Sequence, residues 1–322
     1  MKIPLSIRQF YDEQKDLYSH LKKRVDDRII SLKDAKWHYE SRIKSQESYT
    51  LKLETGRFKN PRKLEDYFAC TIVVENIKAV AEAEIFVTQE FVKQERRPKQ
   101  DCFTHKRSDS FPFDDLRIYV KWKDDPTLPP SGLCDLIFEI QIKTFLQHAW
   151  SIATHDFIYK NDDVNWGKER IAYQIKAMLE HAELSILEAD KIASSSVLEK
   201  TNKETNELSD IVNILKECWD SKGLPSDIVR LSRNVMSLIH AIGINSTKLK
   251  EVIVKETEIG KGTNILSLSP YGIILQSLLN SEEGLMCQCL TADETKFKML
   301  MTKELELPKT LPLEKLKNVI II

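Results

Sequence analysis

The sequence has no hydrophobic run long enough to cross a membrane, and its first residues lack the pattern of a secretory signal peptide. Its six cysteines form no compact framework, which indicates a reducing compartment, and Cys287 and Cys289 have no second pair nearby to complete a zinc site. The net charge of −1 gives no sign of a general affinity for nucleic acid. We therefore expect a cytoplasmic protein of 322 residues, with two domains or one domain and an appendage.

A strand with one polar side is predicted from residue 136. Four apolar side chains should face one way and three polar ones the other: Leu136, Phe138, Ile140 and Ile142 against Glu139, Gln141 and Lys143. The polar row is typical of a cleft wall, but equally of the solvated face of an antiparallel sheet. The alternation alone does not distinguish the two.

A helix is predicted directly after this strand, with Thr144 as its cap. Helical spacing places His148, Ile152, His155 and Tyr159 on one stripe. This stripe could line a pocket for a polar ligand, or the histidines could simply be hydrogen-bonded within a packed helix.

A basic segment lies upstream, at residues 41–52. Arg42 and Lys44 flank one apolar residue, so in an extended chain both project to the same side. Ser45 can cap a short helix that carries Lys52 and stops at Gly56. Clustered Arg and Lys side chains suit a polyphosphate, although a solvated basic face would have the same composition.

A third segment, residues 64–74, is a nearly continuous apolar run and predicts a buried strand with Asp66 at its start. Asp66 and Glu139 could share one divalent ion. Mg²⁺ takes hard oxygen ligands and few protein contacts when substrate phosphates complete its shell.

Together the three segments, with their order and approximate spacing, resemble the synthetase domain of the RelA/SpoT family of alarmone synthetases over roughly residues 1–195. The resemblance implies an α/β fold of nucleotidyltransferase type, a mixed β-sheet flanked by helices. It also implies transfer of the β,γ-pyrophosphate of ATP to the 3′-hydroxyl of an acceptor purine nucleotide, commonly GDP or GTP.

The resemblance also implies roles for individual residues. Asp66 and Glu139 would be catalytic and bind Mg²⁺, with Glu139 near the attacking hydroxyl. The ATP phosphates would be held by Arg42, Lys44, Ser45 and Lys52. The acceptor would be held by Phe113, Arg117, Gln141, Lys143, His148 and His155.

The sequence departs from the family on the acceptor side. Ala69 and Thr71 stand where the family usually has glycine and arginine, and residues 112–117 replace a loop containing a stacking tyrosine. Asp114 and Asp115 would repel an acceptor's phosphates unless they pair with Arg117, Lys121 or a metal. We therefore predict a changed acceptor, an adenine nucleotide or the 3′ end of a nucleic acid.

The sequence is compatible with three functions. The first is alarmone-type synthesis, with growth arrest or phage defence as its use, because no hydrolase motif fits before Arg42. The second is pyrophosphorylation of a tRNA 3′ end, favoured by basic clusters at residues 22–24 and 93–99. The third is a catalytically weak nucleotide-binding regulator.

The predicted domains are residues 1–195 and 205–322. In the first, helices are expected at residues 7–33, 78–92 and 166–194, a strand at 116–121, and loops at 99–115 and 123–135. In the second, helices are expected near residues 205–219, 226–242, 246–257 and 268–280, before a C-terminal tail. We expect this mainly helical part to be regulatory, to form a homo-oligomer or to bind a protein inhibitor.

Overall fold

The computed structural model describes residues 1–56, 64–100, 115–124, 131–158, 165–195, 197–198, 200–260, 267–293, 295, 297–308, 314 and 316–322. The chain divides into two compact units, Met1–Leu198 and Glu199–Ile322. No described helix combines the length and apolar character that crossing a membrane requires.

The first unit is a five-stranded sheet with helices. Its elements are α1 (Leu5–Leu32), β1 (His38–Ile43), α2 (Gln46–Glu54), β2 (Phe68–Val74), α3 (Ile77–Glu90), β3 (Val92–Arg97), β4 (Leu116–Lys121), β5 (Ile137–Thr144), α4 (Phe145–Ile158), α5 (Trp166–Leu187) and α6 (Ala189–Ala193). The strand order is β1-β2-β5-β4-β3, with β2 and β5 parallel and the other pairs antiparallel. This mixed sheet confirms the predicted fold class.

One face of the sheet forms the core of this unit. Alternate residues of the central strands, such as Ile72, Ile118 and Ile140, are fully buried there. Helix α1 joins the same core through its buried residues, Tyr11, Tyr18, Leu21, Val25 and Ile29. Burying each such side chain stabilises the fold by about 1.5–3 kcal/mol. Since side chains alternate along a strand, the neighbours of these core residues face the other side.

The predicted cap of α2 is confirmed. The Ser45 side chain accepts a hydrogen bond from the Ser48 backbone N–H, 3.2 Å away. The chain leaves the helix through Gly56, whose φ of +68° falls in the left-handed region that favours glycine. Local capping rules therefore set both ends of this helix.

Two local predictions differ from the structure. Residues 92–97 form the edge strand β3 rather than only a basic cluster, because their backbone pairs antiparallel with β4. The helix expected over 166–194 is interrupted at Glu188, so that α5 and α6 are separate. Most of the two predicted loops, at residues 101–114 and 125–130, lies outside the described residues.

The second unit is mainly helical, as predicted. It contains α7 (Lys203–Cys218), α8 (Ile228–Ala241), α9 (Ser246–Glu258), α10 (Pro270–Ser281), α11 (Glu283–Thr291), β6 (Met299–Met301) and β7 (Val319–Ile321). Helix α11 and the parallel pair β6–β7 were not predicted, since this part was expected to be a tail. Gly243, with φ +76°, and the capping Asn245 make the turn between α8 and α9.

Candidate active site

Polar side chains occupy the face of the sheet opposite the core. The strand register brings Arg42, Ala69, Glu139 and Tyr119 into one row across β1, β2, β5 and β4. The next row contains Glu40, Thr71, Gln141 and Arg117. Positively charged, carboxylate and amide side chains thus lie side by side on one face of the sheet.

A cleft of about 410 Å³ opens on this face. Its walls come from β1, β2, β5 and α4: Glu40, Ser41, Arg42, Ala69, Thr71, Gln141, Lys143, His148, Ser151 and Ile152. Ala69 and Thr71 have smaller side chains than their neighbours in the two rows, so the cleft is deepest above β2. Of the polar row predicted on β5, Gln141 and Lys143 therefore line a cleft, whereas Glu139 is buried on the same face.

Glu139 is held in a fixed position although it is almost fully buried, with 3% of its surface exposed. One carboxylate oxygen accepts a hydrogen bond from the Tyr119 hydroxyl at 2.8 Å, and the other accepts one from the Gln141 amide. Burial and the Glu139 carboxylate raise the pKa of Tyr119, so the phenol stays a donor. Arg97 donates to the same Tyr119 oxygen at 3.0 Å.

Asp66 forms a second charged centre, just before β2. Its Oδ2 contacts the ammonium groups of Lys44, at 3.1 Å, and Lys52. Burial opposes the charged carboxylate, but the hydrogen bond from Lys52 and the charge of Lys44 outweigh it, so the pKa of Asp66 lies below its usual value. Its Oδ1 is buried with no hydrogen-bond partner among the described residues.

The two carboxylates lie at the same end of the parallel strands. Asp66 precedes Phe68, where β2 begins, and Glu139 is the register partner of Ala69 on β5. The β2–β5 pairing thus places both near the amino ends of adjacent strands. This arrangement is the reason to consider them together as metal ligands.

Lys143 and Arg117 share one anion. Asp115 lies 3.8 Å from the Lys143 ammonium and 3.4 Å from the Arg117 guanidinium. Asp115 was expected to pair with Arg117 or Lys121, but Lys143 is its second partner, and Lys121 lies 3.9 Å from Asp135 instead. Burial lowers the pKa of Lys143, which Asp115 only partly offsets.

Helix α4 is fixed at its first turn. The Thr144 hydroxyl accepts from the Gln147 backbone N–H at 3.1 Å, and the Gln147 side chain accepts from the Thr144 N–H at 3.0 Å. This reciprocal pair is a capping box, and it confirms Thr144 as the predicted cap. The same hydroxyl donates to Glu183 of α5, which links the start of α4 to α5.

Residues 41–164 match the family model described as the region found in RelA / SpoT proteins. Residues 41–164 are a RelA/SpoT region. No curated protein matches the sequence of the chain.

Several solved structures are similar to part of the chain. The small alarmone synthetase 1 from Bacillus subtilis is 14% identical, with a TM-score of 0.40 over 58% of this chain and 93% of that one. A GTP pyrophosphokinase family protein from Streptococcus pneumoniae is 19% identical, with a TM-score of 0.41 over 59% and 97%. The small alarmone synthetase 2 from Bacillus subtilis is 17% identical, with a TM-score of 0.40 over 56% and 94%. Because these TM-scores are below 0.5, only the family match identifies the region.

Most of the predicted site residues of the RelA/SpoT region fall into two groups. Arg42, Gln141, Lys143 and His148 line the cleft, and Lys44, Lys52 and Asp66 form the charged centre before β2. The Ser45 hydroxyl caps α2 and also donates to Ser48 Oγ at 2.9 Å. Phe113 and the His155 side chain lie outside the described residues. The roles of all these residues stay predictions.

Sequence reasoning missed three polar groups on the cleft side of the sheet, Tyr119 within the RelA/SpoT region and His38 and Glu40 just before it. Tyr119 alternates with apolar residues along 116–121, but its contact with Glu139 depends on the β4–β5 register. His38 and Glu40 precede Arg42 at alternate positions of β1, so they share its face. This alternate spacing would have placed His38 and Glu40 beside Arg42 if the strand had been predicted to begin at His38.

Proposed function

We propose that the chain is an ATP-dependent nucleotide pyrophosphokinase, which transfers the β,γ-pyrophosphate of ATP to the 3′-hydroxyl of a purine nucleotide. The observation that carries this proposal is a buried, doubly hydrogen-bonded carboxylate, Glu139, beside the cleft residue Ala69 within the RelA/SpoT match. Phosphoryl-type transfer needs positioning and charge neutralisation more than covalent chemistry from the protein. A rigid polar sheet face supplies both.

The ATP phosphates are proposed to bind Lys44, Lys52, Arg42 and Ser45. The two lysines converge on one Asp66 oxygen, so their ammonium groups are already close together. A polyphosphate carries more negative oxygens than one carboxylate and would compete for the same donors. Arg42 is exposed on β1, which leaves its guanidinium accessible for bidentate contact with phosphate.

Asp66 and Glu139 are the proposed Mg²⁺ ligands. The donor set fits this ion, because Asp66 Oδ1 is buried without a hydrogen-bond partner among the described residues and both groups offer hard oxygens. When bound, Mg²⁺ would neutralise charge on the transferred phosphates. The surrounding lysines would keep ATP in place independently of the ion.

Glu139 is proposed to accept the proton of the attacking 3′-hydroxyl. Tyr119 and Gln141 each donate to a different oxygen of this carboxylate, which fixes its orientation. A carboxylate oxygen keeps a further acceptor site beyond one hydrogen bond. Glu139 can therefore hold a substrate hydroxyl without losing its protein contacts.

The acceptor is proposed to bind along the cleft beside Gln141, Lys143, His148 and Arg117. Phe113 and His155 belong to the same proposal, although the structure does not describe their side chains. Asp115 already engages Lys143 and Arg117, so fewer positive charges are available here than beside Asp66. This favours an acceptor that places its ribose and base, rather than a polyphosphate, against these two residues.

A tRNA acceptor receives less support than a mononucleotide. Described cations of the basic cluster at 93–99 contact carboxylates, with Arg96 on Glu84 at 2.8 Å and Arg97 on Glu95 at 2.8 Å. Such pairs reduce the charge offered to a phosphate backbone. A merely nucleotide-binding regulator is also less favoured, because binding alone does not need an oriented, buried Glu139.

The second unit is proposed to be regulatory, through oligomerisation or a protein inhibitor, because the family match ends at residue 164. A synthetase without control would accumulate its product, which is the basis for proposing growth arrest as its biological effect.

The test is transfer of label from γ-labelled ATP with Mg²⁺ to GDP, GTP, ADP, ATP and deacylated tRNA in parallel. Label on a mononucleotide in the wild type, lost in Glu139→Gln and kept in Glu82→Gln, is the expected result. Glu82 is exposed on α3 and provides the same chemical change away from the cleft. Label on tRNA alone would overturn the acceptor, and unchanged transfer by Glu139→Gln would overturn the site.

A further inference from the structure

We propose that His38, Glu40 and His148 form a second metal site, selective for a Zn²⁺-type divalent ion over Mg²⁺. Each residue offers one ligand atom, and the three atoms lie within 4.8 Å of one another. Two of the three residues, Glu40 and His148, also line the cleft. This site uses none of the residues proposed to hold Mg²⁺.

The fold brings these residues together from two elements. His38 and Glu40 occupy alternate positions on the edge strand β1, so both project from the polar face of the sheet. Helix α4 follows β5 and carries His148 towards them, with 6.0 Å between the two imidazole centroids. The capping box at Thr144 and its bond to Glu183 fix the start of α4, and therefore the position of His148.

His148 has a ring nitrogen that is not otherwise used. Its Nδ1 is buried with no hydrogen-bond partner among the described residues. A neutral imidazole nitrogen is an ordinary metal ligand in proteins. A buried polar atom of this kind is uncommon in folded proteins and calls for a partner.

The donor set decides the type of ion. Two imidazoles and one carboxylate are the ligands of many catalytic zinc sites, whereas Mg²⁺ prefers oxygen ligands alone. Zinc bonds of about 2.0–2.2 Å place two ligand atoms at most about 4.4 Å apart, so any pair of these atoms near the 4.8 Å limit has to move closer together. His38 and Glu40 are exposed and can make this movement by changing rotamer, while His148 remains on its helix.

A neighbouring positive charge limits the affinity but does not exclude the ion. Lys143 lies near His148 in the cleft, and its charge is partly balanced by Asp115. Glu40, one of the three ligands, supplies a compensating negative charge. Three protein ligands would leave a four-coordinate ion able to take one further ligand, such as an anionic oxygen of a small molecule.

The experiment measures metal binding by the tag-free, full-length protein, with Zn²⁺ competed against a chromophoric chelator and Co²⁺ followed by absorption. One equivalent of Zn²⁺, resistant to a large excess of Mg²⁺, is expected. The Co²⁺ spectrum should lack a thiolate charge-transfer band, which excludes binding by the cysteines. His38→Ala, Glu40→Gln and His148→Gln should each weaken binding by about tenfold or more, because they remove direct ligands.

The control is His20→Gln, an exposed histidine of α1, which should bind the ion as the wild type does. Circular dichroism of each variant shows that it is folded, and a Zn²⁺-induced rise in melting temperature should occur in the wild type but not in the His148→Gln variant. Unchanged affinity in all three variants, a thiolate band, or displacement by Mg²⁺ would overturn the proposal. None of these measurements depends on transfer activity.

Discussion

The hydrogen bond between Thr144 and Glu183 is expected to contribute to the free energy of unfolding of the first unit. Both side chains are buried, with 0% and 1% of their surfaces exposed. Thr144→Val removes the hydroxyl that accepts from Gln147 and donates to Glu183 while keeping the size of the side chain. Loss of a helix cap costs about 1 kcal/mol, and an unsatisfied buried polar group about 1–3 kcal/mol. The expected decrease in the free energy of unfolding is therefore about 2–4 kcal/mol.

The assay is urea unfolding followed by fluorescence, with hydrogen exchange of the α4 amides to locate the effect. Thr144→Ser is the matched control, because it keeps the hydroxyl and loses only a methyl group, at about 1 kcal/mol. If the valine variant is as stable as the serine variant, the hydroxyl does not hold α4 and the reasoning is refuted.

The same link predicts a pH dependence. Burial raises the pKa of Glu183, opposed by hydrogen bonds from Thr144 and the Ile77 backbone. The folded state then keeps a proton that the unfolded state has lost, so stability is greatest below the unfolded pKa and falls as the pH rises through the folded pKa. Each unit of that shift corresponds to about 1.4 kcal/mol. Glu183→Gln should remove this decrease, and an unchanged pH profile would contradict the argument.

Three further predictions follow from the described contacts. Tyr119→Phe leaves one Glu139 oxygen without its donor, and should lower the rate of transfer by about tenfold while changing the KM for ATP little, as steady-state kinetics would show. Asp66→Asn removes a carboxyl whose pKa is lowered by Lys52 and Lys44. The charged carboxylate stabilises the fold above the unfolded pKa, and this contribution is lost as the pH falls through the folded pKa. The free energy of unfolding of the variant should therefore decrease less steeply below about pH 4 than that of the wild type. Asn318→Ala removes bonds to Thr295, at 2.8 Å, and Cys289, at 3.0 Å, and should destabilise the second unit by about 2–4 kcal/mol in thermal unfolding.

The faces of β5 were predictable because strand periodicity is strict. Once Phe138 and Ile140 are assigned to the core, Glu139 and Gln141 must face the other side. The caps at Ser45 and Thr144 were predictable for a similar reason, since they depend on residues only three positions apart. Local chemistry thus accounts for the elements that carry the site.

Other features depend on contacts between distant residues. Strand β3 has no apolar alternation, and it is extended because its backbone pairs with β4. The Tyr119–Glu139 hydrogen bond depends on one register, and a shift of a single residue would turn the tyrosine to the other face. Likewise, His38 and His148 meet only because β1 and α4 both border the cleft, which no local pattern shows.

The most direct test of the proposed activity is the identity of the nucleotide released from ATP. Transfer of the β,γ-pyrophosphate leaves AMP, whereas transfer of the γ-phosphate alone leaves ADP. We predict AMP in equimolar amount with the 3′-modified acceptor, formed by the wild-type protein and by Glu82→Gln but not by Glu139→Gln. Release of ADP, or AMP formation that persists in Glu139→Gln, would contradict the account.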